Sequence, residues 1–253
     1  ANACSARVRI RPILRVFMVA VIRVLVIQHS AADSLAAAQR VLDCLGHEVS
    51  TVRIDRREPI PSSVEYDALM MLGGPYGMSA SEVPDWIADE QALIRKYVDQ
   101  DRRVMGICLG SQILASSLGA KVRRNEQPEV GWHRVTRVSE ESAIARGAFP
   151  EQMTVFQWHQ DTFEIPPGAT RLFESSACVN QAYSIDYRVF GFQFHLEANE
   201  RTVRTFVAVS PLRKRQSPSV QTESEILDGI STYLPRQDDR HTSILSRFLP
   251  SEG

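Results

Sequence analysis

No sign of charge dominates this chain: its 253 residues hold 29 Lys plus Arg against 30 Asp plus Glu. A balance so close to neutral leaves no electrostatic footprint for a nucleic-acid or anionic-membrane partner, and none is expected. Cysteine is scarce. Cys4, Cys44, Cys108 and Cys178 lie far apart, with no C-x-x-C pair and no metal-type spacing. That argues against a disulfide framework and against a cysteine-based metal site, and makes a reducing cytoplasm the expected compartment. Long apolar runs are also missing. The stretch Val16 to Ile22 falls well short of the roughly 20 residues that a membrane-spanning helix needs. There is no internal repeat, no low-complexity tract and no G-x-x-x-x-G-K-S/T phosphate loop.

Acidic residues are absent from residues 1–24, which carry Arg7, Arg9, Arg11, Arg15 and Arg23. A targeting segment has that composition, but no small-residue cleavage site follows. Residues 1–20 are therefore expected to form a disordered extension. Residues 21–253 are expected to form one domain with C-terminal helices.

The remainder alternates strand and helix signals. Val24 to Ile27 is a β-branched apolar run. Asp33 is placed to cap a helix through about Leu45, with Leu35, Ala38, Val41, Leu42 and Leu45 on one face and Gly46 as its stop. Val49 to Ile54 reads as a second strand, and Ala68 to Leu72 as a strand buried on both faces. Pro84 opens a helix to about Val98. A strand over Arg103 to Ile107 and a helix over Gly110 to Leu118 follow. Short loops between such elements predict an α/β fold with an open, mostly parallel sheet and helices on both faces. Beyond it, Val130 to Val138, Met153 to Trp158, Ala169 to Phe173, Ala177 to Ser184 and Val189 to Phe194 lack intervening helices and predict an antiparallel extension. Ala198 to Val207 returns to helix, residues 210–219 read as a loop, and Ser224 to Leu234 and His241 to Leu249 read as two terminal helices.

The most informative stretch is Met105-Gly106-Ile107-Cys108-Leu109-Gly110-Ser111-Gln112. A strand passes into a helix through a turn bracketed by two glycines, the arrangement that projects a nucleophile over the end of a sheet. Side chains at the flanking positions would clash there. The helix that follows aims its N-terminal N–H groups at the sulfur and favours the thiolate. The same pattern also suits a turn that merely needs two glycines, so Cys108 requires partners. A cysteine nucleophile needs a base held by a third group. Among the six histidines, His195 stands at the end of an apolar run, in Phe190-Gly191-Phe192-Gln193-Phe194-His195-Leu196-Glu197. Strand alternation would put Gln193, His195 and Glu197 on one face, with the carboxylate beside the imidazole. Acyl transfer also needs oxyanion donors. Leu109 N–H is one candidate. Gly74, in Gly73-Gly74-Pro75 at a strand end, is the other.

Together these three segments resemble the class I (triad-type) glutamine amidotransferases, and specifically stand-alone proteins similar to the amidotransferase domain of GMP synthase. Val155-Phe156-Gln157-Trp158-His159-Gln160-Asp161 and Asn180-Gln181-Ala182-Tyr183 add to the likeness, which runs from about Val24 to Val207 and more weakly to Leu249. The resemblance implies a flavodoxin-like fold and hydrolysis of glutamine to glutamate and ammonia. In it, Cys108 is nucleophile, His195 base and Glu197 orienting acid, with Gly74 and Leu109 as oxyanion donors. Gln112, Gln157, His159 and Asp161 would bind or flank substrate, and no metal or organic cofactor is implied. No ATP-binding domain follows in this sequence, so an ammonia acceptor would be a separate partner enzyme. Two rivals stand beside this reading: a hydrolase of γ-glutamyl peptides or conjugates with the same triad, and a non-catalytic glutamine-binding module. A redox or chaperone protein built on the same cysteine elbow fits less well, because it does not pair His and Glu on a late strand. The other singled-out residues are expected to be structural. Cys44 and Cys178 read as buried packing residues, Trp86 and Trp132 as core, His29 as a loop histidine, and Arg123-Arg124 as a solvated pair.

Overall fold

A computed structural model describes residues 21–80, 82–138 and 149–249. The expected extension, residues 1–20, lies outside them. Nine strands form one sheet in the order β2-β1-β3-β4-β9-β8-β7-β5-β6. The parallel part comprises β1 (Arg23–Gln28), β2 (Glu48–Arg53), β3 (Ala68–Met71), β4 (Arg103–Ile107) and β9 (Val189–Phe192). The antiparallel part adds β8 (Ala182–Ile185), β7 (Thr170–Glu174), β5 (Val122–Arg137) and β6 (Gln152–Phe163). This is the open parallel sheet with an antiparallel extension that the strand and helix signals predict.

Alternation along the central strands builds a core on each face. Val24 and Val26 of β1, with Ala68 and Met70 of β3, pack beneath α1 (Ala37–Cys44) and the C-terminal end of α5 (Glu223–Phe248). Leu25, Ile27, Leu69 and Met71 face the other way, onto α2 (Trp86–Asp99) and α3 (Leu109–Ser117). Each such side chain removed from water contributes roughly 1.5–3 kcal/mol before the entropy of ordering is counted. A third cluster joins Trp132, Phe156 and Trp158 of the antiparallel part to α4 (Glu200–Val209) and the start of α5. None of the helices among the described residues is long and apolar enough to cross a membrane.

Four local expectations are corrected. Asp33 does not cap α1, which begins at Ala37 after Ala36 at φ 46°. The Asp33 carboxyl is taken by Ser30 Oγ at 2.5 Å, and α1 is instead tied at its start by Ala37 N–H donating to the Glu197 carbonyl at 2.9 Å. Cys44 is exposed, because it falls off the stripe formed by Ala38, Val41 and Leu42. The two terminal helices are one, α5, which runs through Pro235. Proline there forfeits a backbone bond and costs about 3 kcal/mol. The helix persists because Ile226 and Ile230 are buried on one side of that point and Ile244, Leu245 and Phe248 on the other. Finally, β9 ends at Phe192, so His195 and Glu197 lie in the turn beyond it rather than on the strand.

Candidate active site

Ligand sites in open α/β sheets gather beyond the carboxyl ends of the parallel strands. Here those ends deliver His29 after β1, Gly73 and Gly74 after β3, Cys108 after β4 and His195 after β9.

Cys108 is the residue before α3, held at φ 51° and ψ −110°, a left-handed backbone value that side chains rarely adopt. Its amide donates to the Phe192 carbonyl at 2.7 Å, locking the bend to β9. The flanking glycines are required by close approach. A Cβ at Gly106 would stand 2.7 Å from Ser111 Cα, and one at Gly110 would overlap the Met71 backbone. Strain of this kind persists only where the surroundings over-determine it, and it concentrates at functional sites.

The loop after β9 carries the imidazole. His195 donates its backbone N–H to the Phe156 carbonyl at 2.9 Å. Its own carbonyl accepts from Gln237 Nε2 of α5, also at 2.9 Å. The ring stands edge-on to Phe206, with centroids 5.3 Å apart. His195 Nδ1 lies 2.7 Å from Glu197 Oε1, and both side chains are buried. The other ring nitrogen, Nε2, is buried and outside hydrogen-bond geometry with every described group. Burial opposes charge on this ring, but the Glu197 carboxylate and Cys108 outweigh it and raise the His195 pKa well above 6.5. Glu197 thus holds one side of the His195 ring and Cys108 acts on it electrostatically, with the His195–Glu197 pair made in a turn rather than by strand alternation.

Cys108 opens into a cavity of about 270 Å³ lined by Gly74, Tyr76, Leu109, Gln112, Trp158, His159, Asp161, Ser210 and Leu212, among others. Leu109 is the first residue of α3, so its N–H has no partner within the helix. Gln112 is buried at the cavity wall and donates to the Asp161 carbonyl at 3.2 Å and to Gln193 Oε1 at 3.1 Å. Both Asp161 carboxylate oxygens accept from Ser79, from its N–H at 2.9 Å and its Oγ at 2.7 Å. Asp161 therefore tethers the segment that follows Gly74-Pro75. His159 pairs with Glu129 at 3.0 Å and donates from Nδ1 to the Asp161 carbonyl, also at 3.0 Å. Gln157 stands apart from the other predicted substrate residues. It is fully buried behind the cavity wall, where its amide nitrogen donates to Gln181 at 2.7 Å.

Near this wall Glu129, His159 and Cys178 bring metal-ligating atoms within 4.8 Å of one another. Each atom is already engaged: Glu129 by His159 and Ser175, and Cys178 Sγ by Thr162 Oγ1 at 3.2 Å. Burial pushes the Cys178 thiol up to about 11, which disfavours the thiolate that a metal requires.

Sequence reasoning missed four residues around the site. His29 is no surface-loop histidine: it is fully buried, bonded to Glu90 at 2.9 Å and stacked on the half-buried Trp86. An acid at Glu90, within the apolar stripe of α2 formed by Ile87, Leu93, Ile94 and Tyr97, was the available signal. Asp33 is buried beside His195. Its pKa is raised because burial outweighs the His195 charge and the Ser30 hydroxyl. Gln237, a polar residue on the buried face of α5, holds the His195 loop.

Comparison with known proteins agrees with this geometry. A family model described as "Glutamine amidotransferase class-I" matches residues 31–208. The glutamine amidotransferase-like protein YfeJ of Salmonella typhimurium is 32% identical over 192 residues, covering 73% of this chain and 80% of that protein. A subunit of the glutamine-hydrolyzing GMP synthase of Saccharolobus solfataricus is 32% identical over 157 residues, covering 60% and 80%. Gamma-glutamyl peptidase 3 of Arabidopsis thaliana is 29% identical over 155 residues, covering 58% and 61%. A solved glutamine amidotransferase from Methylobacillus flagellatus superposes with a TM-score of 0.85 at 31% identity, covering 92% of this chain and 98% of that one. With strand order, cysteine bend and family match in agreement, the chain belongs to the class I glutamine amidotransferases.

Proposed function

We propose that this protein hydrolyses the side-chain amide of glutamine, with Cys108 as nucleophile, His195 as general base and acid, and Glu197 as the group that orients His195. The observation that carries this reading is a buried imidazole bonded to a carboxylate through one nitrogen and influenced electrostatically by a strained cysteine. Cys108 gives its proton to His195 Nε2, and the resulting thiolate attacks the amide carbon. The negative charge that develops on the amide oxygen is met by the N–H groups of Leu109 and Gly74. His195 returns the proton to the departing nitrogen, and ammonia leaves behind a γ-glutamyl thioester. Water, deprotonated by the same nitrogen, then attacks the thioester to release glutamate and the thiol. The steps consume one water per glutamine and need no external redox partner.

Purified protein is expected to release ammonia from glutamine, and Cys108→Ala to lose at least about 10³-fold in that rate, because triad members act as a unit. Equal rates in the two proteins would defeat the assignment. One observation keeps a second substrate class in view. The cavity continues past Cys108 to Ser210, Pro211 and Leu212, where Ser210 Oγ accepts from Trp158 Nε1 at 2.8 Å. The likeness to gamma-glutamyl peptidase 3 of Arabidopsis thaliana supports the same class, so γ-glutamyl dipeptides belong in the same assay. A higher kcat/KM on dipeptides than on glutamine would assign the chain to γ-glutamyl hydrolysis.

A further inference from the structure

Resting on the reading above, we infer that the buried His29–Glu90 pair is a positioning device for the second oxyanion donor, the N–H of Gly74. His29 Nδ1 lies 3.0 Å from the Leu72 carbonyl oxygen and 3.1 Å from that of Gly73. Carbonyl oxygens only accept, so Nδ1 must carry a proton and donate to both. The opposite nitrogen is held by Glu90 Oε2 at 2.9 Å, and neither side chain has any solvent exposure. Glu90 comes from α2 and His29 follows β1, so two packed elements fix the ring between them. Trp86 covers one face of the ring at a centroid distance of 5.0 Å and an interplanar angle of 27°.

The consequence follows from peptide geometry. The Gly73 carbonyl and the Gly74 N–H belong to one planar unit, and no described peptide bond is cis. In a trans peptide these two groups point in opposite directions. Turning the carbonyl toward His29 therefore turns the Gly74 N–H away from it, toward the side on which Gly74 lines the cavity with Cys108. The missing side chain completes the arrangement. A Cβ on Gly74 would stand 2.8 Å from both His29 Cβ and Leu109 Cδ2, so only glycine lets this peptide lie between the histidine and the first residue of α3. An oxyanion donor stabilises charge only when it is aimed before the reaction begins. The pair supplies that aim from outside the cavity, so His29 and Glu90 are positioning residues, not catalytic ones.

The test compares wild type with Glu90→Gln and His29→Gln in three measurements. Hydrolysis of glutamine is expected to lose about 10²- to 10³-fold in kcat with KM changed little, because the contact with the oxyanion is made only in the transition state. Alkylation of Cys108 by iodoacetamide displaces iodide at a saturated carbon and forms no oxyanion, so its rate should stay within about 2-fold of wild type while kcat falls. Nitrogen NMR of the His29 ring in the wild-type protein needs no variant and should show Nδ1 protonated throughout the active pH range. Unchanged kcat in either variant, a parallel fall in alkylation, or an unprotonated Nδ1 would each overturn the inference. A wild-type protein that hydrolyses no γ-glutamyl substrate would instead overturn the reading on which it rests.

Discussion

At the scale of single residues, the environment of His195 decides what the site can do. Two carboxyl groups lie near it, but they are not equivalent. Glu197 makes the hydrogen bond, at 2.7 Å, whereas Asp33 is bonded to Ser30. Replacing Glu197 by Gln keeps the shape and removes the charge. We expect kcat to fall by about 10³- to 10⁴-fold, as when the orienting acid of a triad is neutralised. The same contact has a signature in stability. Burial disfavours the charged ring, but Glu197 and Cys108 raise its pKa well above 6.5 in the folded state. A raised histidine pKa contributes stability that is fully present below about pH 6.5 and is lost as pH rises through the folded value. Thermal unfolding midpoints should therefore decline on the alkaline side. In Glu197→Gln the contribution should be smaller and its loss should begin at lower pH. Superimposable profiles for the two proteins would show that Glu197 does not hold the imidazolium.

At the scale of elements, α5 reaches the site from outside the stretch that the family model matches, residues 31–208. Gln237 donates to the His195 carbonyl at 2.9 Å and accepts from Phe156 N–H at 3.0 Å, so the helix clamps the loop that carries the imidazole. One turn further on, His241 is buried with both ring nitrogens unpartnered among the described residues. Burial lowers its pKa to about 4, against the pull of Glu197 and Asp238. The sign is opposite to that of His195. The unfolded chain takes up a proton below about pH 6.5, and the folded chain resists it until about 4. Between those values acidification should cost about 3 kcal/mol through this residue alone. In His241→Leu, denaturant titrations at pH 7 and pH 4.5 should differ less than in wild type. An equal or larger difference would remove His241 as the acid-sensitive group.

At the scale of the whole molecule, α5 is also a wall of the core. Ile226 and Ile230 close one hydrophobic cluster, and Ile244, Leu245 and Phe248 close another. A chain ending at Gln221 would expose both. It is expected to lose cooperative unfolding in circular dichroism, and a sharp native-like transition would show that the preceding residues fold alone. Much of the architecture was legible without coordinates. The β-branched, two-sided apolar runs of β1 and β3 and the glycine-bracketed cysteine carry period and sterics that act over a few residues. Strand alternation predicts His195 and Glu197 on one face, whereas the two meet in a turn beyond β9. The two expected terminal helices are one for a similar reason: burial at both ends of α5 carries the helix through Pro235, and no short window contains both ends. His29 and Glu90 bond across 61 positions, and Gln237 reaches His195 across 42. The sequence by itself determined the sheet, the bend at Cys108 and the chemistry its residues could perform, because these rest on steric and hydrophobic patterns among near neighbours. Only the tertiary structure decided which buried polar groups face one another around that cysteine, because a hydrogen bond between distant segments depends on the packing of every element between them.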